Sequence, residues 1–235
     1  MCDIRLYDFR YRVEMVNSKE LRILVADDHE IVRRGVKSLL SSKPGWKVCA
    51  EAASGREAIA LAEQHRPDIA VVDISMPGLN GLEATRKIRK ASPKTEVLIL
   101  SLHFSDQLVR EIVDAGARGY ILKSDATRDL VKAIESLATR RSFFTSGASK
   151  IIIDGFVNPA AKEKPGRLMR HQLSAREREI VQLLAEGKSS KEVAVTLGIS
   201  VKTAETHRSN IMRKLEMHSI SELVRFAVRN QMIEP

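Results

Sequence analysis

Aromatic side chains are scarce in this chain, at 4% of residues, and cysteines number only two, Cys2 and Cys49. They form neither a CxxC nor a metal-ligand set, so a disulfide framework is set aside and both read as reduced and structural. Long apolar runs are missing as well. No stretch approaches the roughly 18 to 20 residues that a membrane span needs. The first twenty residues are too interrupted by charge for a signal peptide, which gives the expectation of a cytosolic protein with no membrane partner. Low-complexity tracts are also absent. What is present is 43% hydrophobic and 29% charged over 235 residues, a helix-rich composition long enough for two domains that each bury a core.

The net charge of +9 is unevenly placed. Residues 21–140 carry 19 basic and 16 acidic side chains, residues 141–170 carry 6 and 2, and residues 171–230 carry 10 and 7. A basic surplus toward the C-terminal end suits a polyanion, although a solvated surface explains so modest an excess equally simply.

From Leu21 to about Arg140 short apolar runs alternate with amphipathic stretches: LRILVAD, HEIVRRGVKSLL, VCAEAA, REAIALAEQH, DIAVVD, LEATRKIRK, EVLILS, DQLVREIVDAG, GYILK and TRDLVKAIESLA. Strands apolar on both faces, separated by helical periods, specify a parallel sheet covered on both sides. The expectation is a five-stranded, doubly wound α/β domain over 21–140. Residues 141–169, rich in Ser, Gly, Lys and Pro, read as a linker, with ASKIIIDGFV a candidate short helix. From Leu173 onward only helical signals remain, and residues 170–235 read as a small four-helix domain punctuated by Gly187 and Gly198. Residues 1–20 fit neither block. Met15 offers an alternative start, which makes residues 1–14 a candidate extension.

In a doubly wound sheet, ligands sit beyond the carboxyl ends of the strands. Those ends carry, in order, Asp27 and Asp28, then Asp73, Ser101 and Lys123. A single Asp at a strand end is more often a cap or turn former. Five polar groups at one edge are more than caps require. Three carboxylates packed together repel unless a cation offsets them. Mg²⁺ suits an incomplete cage of hard oxygen ligands that leaves room for a phosphoryl group. Asp73 is then the candidate nucleophile, Lys123 a second source of positive charge, and Ser101 a donor to the attached phosphoryl group. The SMPGLNG run after Asp73 supplies Pro and two glycines for a tight turn.

With these residues in this order, about 120 residues resemble the receiver domain of response regulators. The resemblance implies that Asp73 is the phosphoacceptor and that Asp27, Asp28, Asp73 and the backbone carbonyl of Ser75 hold Mg²⁺. It also implies that Ser101, Tyr120 and Lys123 sense the phosphoryl group, and that Ser75 and His103 tune its lifetime. Ser124 stands where many receivers have Pro after the Lys, so no cis-proline loop is expected.

In the C-terminal block SSKEVAVTLGISVKTAETHRSNIMRKL reads as two helices turning at Gly198. Ser189 and Glu192 have capping-box spacing, and Ser200 can cap the second helix. That helix sets Val201, Ala204, Ile211 and Leu215 toward one apolar face and leaves a short polar, hydroxyl-rich face for the major groove. Any amphipathic helix of a small bundle also has charged residues outside. The stretch from Leu173 to Leu215 resembles the LuxR-type helix-turn-helix, with Ala204 where a larger β-branched residue is usual. That resemblance implies base contacts from Glu205, Thr206 and Ser209. It also implies phosphate contacts from Lys202, Thr203, Arg208, Asn210 and Lys214, with SISELVRFAVRN as the dimerising last helix.

Joined in this order, the modules resemble the NarL/FixJ family of two-component response regulators. The implied function is a transcription regulator that a sensor histidine kinase phosphorylates at Asp73, and that then dimerises on paired half-sites of double-stranded promoter DNA. One rival reading is a phosphatase turning over through an aspartyl phosphate. It lacks the second acid of haloacid-dehalogenase-type enzymes, since Ser75 stands there. The other rival is a module that binds DNA without phosphorylation, and no acceptor-site residue is missing to favour it.

Overall fold

The protein is described from a computed structural model over residues 20–157 and 173–233. In the N-terminal domain β1 (Leu21–Ala26), β2 (Trp46–Ala52), β3 (Ile69–Asp73), β4 (Glu96–Ser101) and β5 (Gly119–Leu122) alternate with α1 (Glu30–Ser41), α2 (Gly55–His65), α3 (Gly81–Ala91), α4 (Asp106–Asp114) and α5 (Ala126–Ala138). A single 3₁₀ turn, Lys123–Asp125, joins β5 to α5. Every strand is parallel to its neighbours. Because successive side chains leave a strand on opposite faces, each strand feeds two cores. Ile23, Val25, Val71 and Leu100 pack with α1 and α5, while Leu24, Ala26, Val72 and Ile99 pack with α2, α3 and α4. This double burial explains why the strands are apolar throughout.

Among the described residues the sheet has six strands, in the order β2-β1-β3-β4-β5-β6, and not the five expected from sequence. The added β6 is only Phe143–Phe144, paired to Gly119 and Tyr120, and two residues are too few to show a period. A further helix, α6 (Ser146–Val157), follows and buries Ala148 and Ile151 in the same core as Tyr120 and Val109. Residues 143–152, read from composition as part of a linker over 141–169, thus pack on the N-terminal domain. The readings of residues 1–19, with Cys2 and Met15, and of 158–172 fall outside the described residues. Cys49 is a free thiol in β2, half-buried.

The C-terminal domain comprises α7 (Ala175–Ala185), α8 (Ser190–Leu197), α9 (Val201–Lys214) and α10 (Ile220–Arg229) around one core that includes Ile180, Leu184, Val193, Ala204, Ile211 and Leu223. Capping boxes start α7 (Ser174 with Glu177) and α8 (Ser189 with Glu192). Gly198, at φ +63°, ends α8 in the left-handed region, and the Ser200 hydroxyl caps α9 by accepting from Thr203 N–H. Val201 is 39% exposed, so it lies at the margin of the apolar face. Among the described residues no helix is long and apolar enough to cross a membrane.

Candidate functional site

Parallel pairing of β1 with β3, and of β3 with β4, brings the carboxyl ends of these strands to one edge. There Asp27, Asp28, His29 and Asp73 present ligand atoms within 4.8 Å of one another. Lys123 reaches in from the end of β5, its Nζ 2.9 Å from Asp27 Oδ2 and 3.0 Å from Asp73 Oδ1. One ammonium facing three carboxylates leaves the corner negative. Asp73 Oδ2 is buried and has no hydrogen-bond partner among the described residues. Burial is the main reason that the Asp73 carboxyl is pushed up to about 6, with Asp27 and Asp28 adding to the rise and Lys123 opposing it. Burial alone would lower Lys123, but Asp27 and Asp73 outweigh it and hold the ammonium above its ordinary value. A buried, underneutralised oxygen set of this kind fits a hard divalent cation.

The turn after Asp73 needs its glycines. Gly78 has φ +74°, and a Cβ on Gly81 would lie 1.9 Å from the Asp73 carbonyl oxygen. Only glycine lets α3 begin so close to the strand. Asn80 caps that helix, its side chain accepting from Glu83 N–H. Ser75, within the turn, is partly buried.

Ser101 and Tyr120 meet at one atom. The Ser101 hydroxyl donates to the His103 carbonyl at 3.0 Å and accepts from His103 N–H at 3.1 Å. Tyr120 OH donates to the same carbonyl at 2.9 Å, so that both switch candidates fix the loop from Ser101 to Ser105. Burial, with Asp125 nearby, pushes the phenol up to about 12 and keeps it a donor. Phe104 covers the ring at a centroid distance of 6.3 Å, and Gly147 of α6 sits against Phe104.

On α9, Lys202, Thr203, Glu205, Thr206, Arg208, Ser209 and Asn210 are all exposed. The Thr206 hydroxyl donates back to Lys202 O at 2.8 Å, and Asn210 Oδ1 accepts from Arg213. Lys214 is drawn onto Glu177 of α7, 2.9 Å away.

Two groups of polar residues were not singled out from sequence. His29 follows the acidic pair directly, and its Nδ1 lies 3.0 Å from Asp28 Oδ1; adjacency was the available signal. The others join the domains. Gln182, only 1% exposed, donates to Met76 O and accepts from Asn80 N–H, while Glu186 accepts from Gly78 N–H. Ion pairs cross in both directions: Arg178 with Glu83, and Lys87 and Arg56 with Glu179. At the other end, Gln107 donates to Asn230 Oδ1 and Gln231 to Ser105 Oγ. Partners more than ninety residues apart leave no local pattern.

Comparison with known proteins agrees with this arrangement. Residues 23–135 match the response regulator receiver domain, and residues 171–227 match the bacterial regulatory proteins of the luxR family. The oxygen regulatory protein NreC of Staphylococcus epidermidis is 35% identical over 221 residues, spanning 91% of this chain and 100% of NreC. The response regulator protein VraR of Staphylococcus aureus is 35% identical over 214 residues, spanning 91% of this chain and 99% of VraR. A solved two-component response regulator of the LuxR family from Aurantimonas is 38% identical, with a TM-score of 0.54, over 58% of this chain and 97% of its own. A receiver followed by a luxR-type domain, with relatives aligned over 91% of its length, makes this chain a member of the two-component response regulators, a DNA-binding transcriptional regulator and not a turnover enzyme.

Proposed function

We propose that Asp73 accepts a phosphoryl group from a sensor histidine kinase, and that the phosphorylated chain dimerises on paired half-sites of promoter DNA in the cytosol. The observation that carries this reading is the meeting of three carboxylates and one ammonium at the carboxyl edge of the sheet. Asp27, Asp28 and Asp73, with the backbone carbonyl of Ser75, would hold one Mg²⁺, which when bound offsets the carboxylate charge and polarises phosphoryl oxygens.

The remaining work belongs to the chain. An Asp73 carboxylate oxygen forms a bond to phosphorus as the phosphorus–nitrogen bond to the kinase histidine breaks, the electron pair staying on that nitrogen. With its carboxyl at about 6, Asp73 is mostly ionised at neutral pH and able to attack. Lys123 meets the charge that gathers on the transferred group. Ser101 can then turn its hydroxyl from His103 O to a phosphoryl oxygen.

For DNA, the exposure of Glu205, Thr206 and Ser209 supports base contact, and that of Lys202, Thr203, Arg208 and Asn210 supports phosphate contact. Lys214 would exchange Glu177 for a phosphate. Two bound half-sites should lie about one helical turn apart.

The direct test is intact mass after incubation with Mg²⁺ and a small phosphoryl donor. One added phosphoryl group, absent in Asp73→Asn, is expected. No addition under conditions that phosphorylate a known receiver would refute the acceptor assignment.

A further inference from the structure

Near the end of the chain one residue holds a backbone conformation that its type does not favour. Helix α10 closes with a Schellman pattern, in which Gln231 N–H donates to Val228 O and Met232 N–H to Ala227 O. The left-handed position of that motif is ordinarily glycine, and here it is Gln231, at φ +53°. A Cβ is penalised in this region, so local propensity does not account for a glutamine. Such a residue points to a task for its side chain.

The side chain of Gln231 is partly buried and lines a cavity of ≈ 220 Å³ together with Ile74, Ser75, Ser101 and His103. Ile74 and Ser75 follow Asp73 directly, and Ser101 ends the strand paired to β3, so the cavity adjoins the phosphoacceptor. A phosphoryl group that takes the Ser101 hydroxyl as donor has its oxygens at this wall. The cavity has volume for several waters, each of which occupies about 30 Å³ in the liquid, and its polar lining can hold them. Gln231 Nε2 donates to Ser105 Oγ at 3.2 Å, which fixes the carboxamide from one side. That bond takes one amide hydrogen and leaves the carboxamide oxygen able to accept from a water. A glutamine carboxamide is suited to orienting the water that attacks a phosphoryl group.

We propose that Gln231, supplied by the C-terminal domain, is a positioning residue for hydrolysis of the phosphoaspartate at Asp73. Its carboxamide oxygen holds a water of the cavity against the phosphoryl group. The water oxygen bonds to phosphorus as the bond from phosphorus to the Asp73 oxygen breaks. The electron pair returns to the carboxylate, and the released phosphate carries away both hydrogens of the water. The inference rests on the reading of Asp73 as acceptor. Its consequence is that the packed C-terminal domain shortens the life of the signal, while the loading of Asp73 does not depend on Gln231.

The test uses the full-length chain, loaded with Mg²⁺ and acetyl phosphate, freed of donor by desalting and followed by intact mass. Gln231→Gly removes the side chain and relieves the backbone, so its melting temperature should not fall and its loading rate should match wild type. Its phosphorylated form should last roughly 3- to 10-fold longer, the effect of losing one hydrogen bond to the attacking water. Gln107→Ala controls for the packing itself. It removes the neighbouring bond between the domains, from Gln107 to Asn230 Oδ1, and should keep the wild-type decay. Equal decay in wild type and Gln231→Gly would overturn the proposal. Faster decay in both variants would overturn it too, showing that the end of α10 shields the phosphoaspartate from water. Failure of wild type to load at all would instead remove the acceptor reading, and this inference with it.

Discussion

Asp73 is held in conflict with its surroundings, and the conflict can be measured. Its carboxyl rises from 3.8 to about 6, chiefly because it is buried. The folded chain therefore binds this proton more tightly than the unfolded chain. Sign follows from linkage: stability from this group is fully present below pH 3.8 and is lost as pH rises through 6. In chelator, Asp73→Asn should be more stable than wild type by up to about 3 kcal/mol at pH 8, and the gap should close as pH falls toward 4. Denaturation at the two pH values checks this, and a gap independent of pH would contradict the conflict. At the same scale, Mg²⁺ should raise the melting temperature of wild type and lose that effect in Asp28→Asn, because only the folded corner brings the ligands together. The types and spacings of Asp27, Asp28, Asp73, Ser101 and Lys123 were legible in sequence because strand ends in an alternating pattern announce themselves. His29 was not, since one residue beside two carboxylates reads equally well as a helix start.

Among the elements, the turn from β3 to α3 decides whether the corner can form. Asp73 ends a strand and Gly81 begins a helix, and the two backbones meet where a Cβ would stand 1.9 Å from Asp73 O. Gly81→Ala should cost about 3 kcal/mol or more in stability, since backbone has to move. Chemical denaturation would register it, and a loss below about 0.5 kcal/mol would mean that the turn relaxes freely. The five long-period helices and five apolar strands could be read from periodicity. The β6 strand could not, because Phe143 and Phe144 find their place only by lying beside Gly119 and Tyr120.

Across the whole molecule, the crossed pairs Arg178–Glu83 and Lys87–Glu179 tie α7 to α3, with Glu83 only 1% and Glu179 only 3% exposed. Removing either member leaves its partner short of charge. A cycle of Glu83→Gln and Arg178→Gln should give a coupling of about 1–2 kcal/mol by denaturation. Strictly additive effects would mean that these domains do not hold one another. This contact also bears on α10, since the same docking seats its end under the Ser101 loop.

By itself the sequence determined the five longer strands, the helices between them, the four C-terminal helices and the residues at each strand end. Periodicity, capping residues and turn glycines act within a few residues of chain, so one sequence displays them openly. Only the tertiary structure decided that Lys123 faces both Asp27 and Asp73, that Ser101 and Tyr120 share His103 O, and that α7 is tied to α3 of the receiver. Those facts depend on groups brought together by packing from distant points of the chain, where burial and not local propensity sets the geometry.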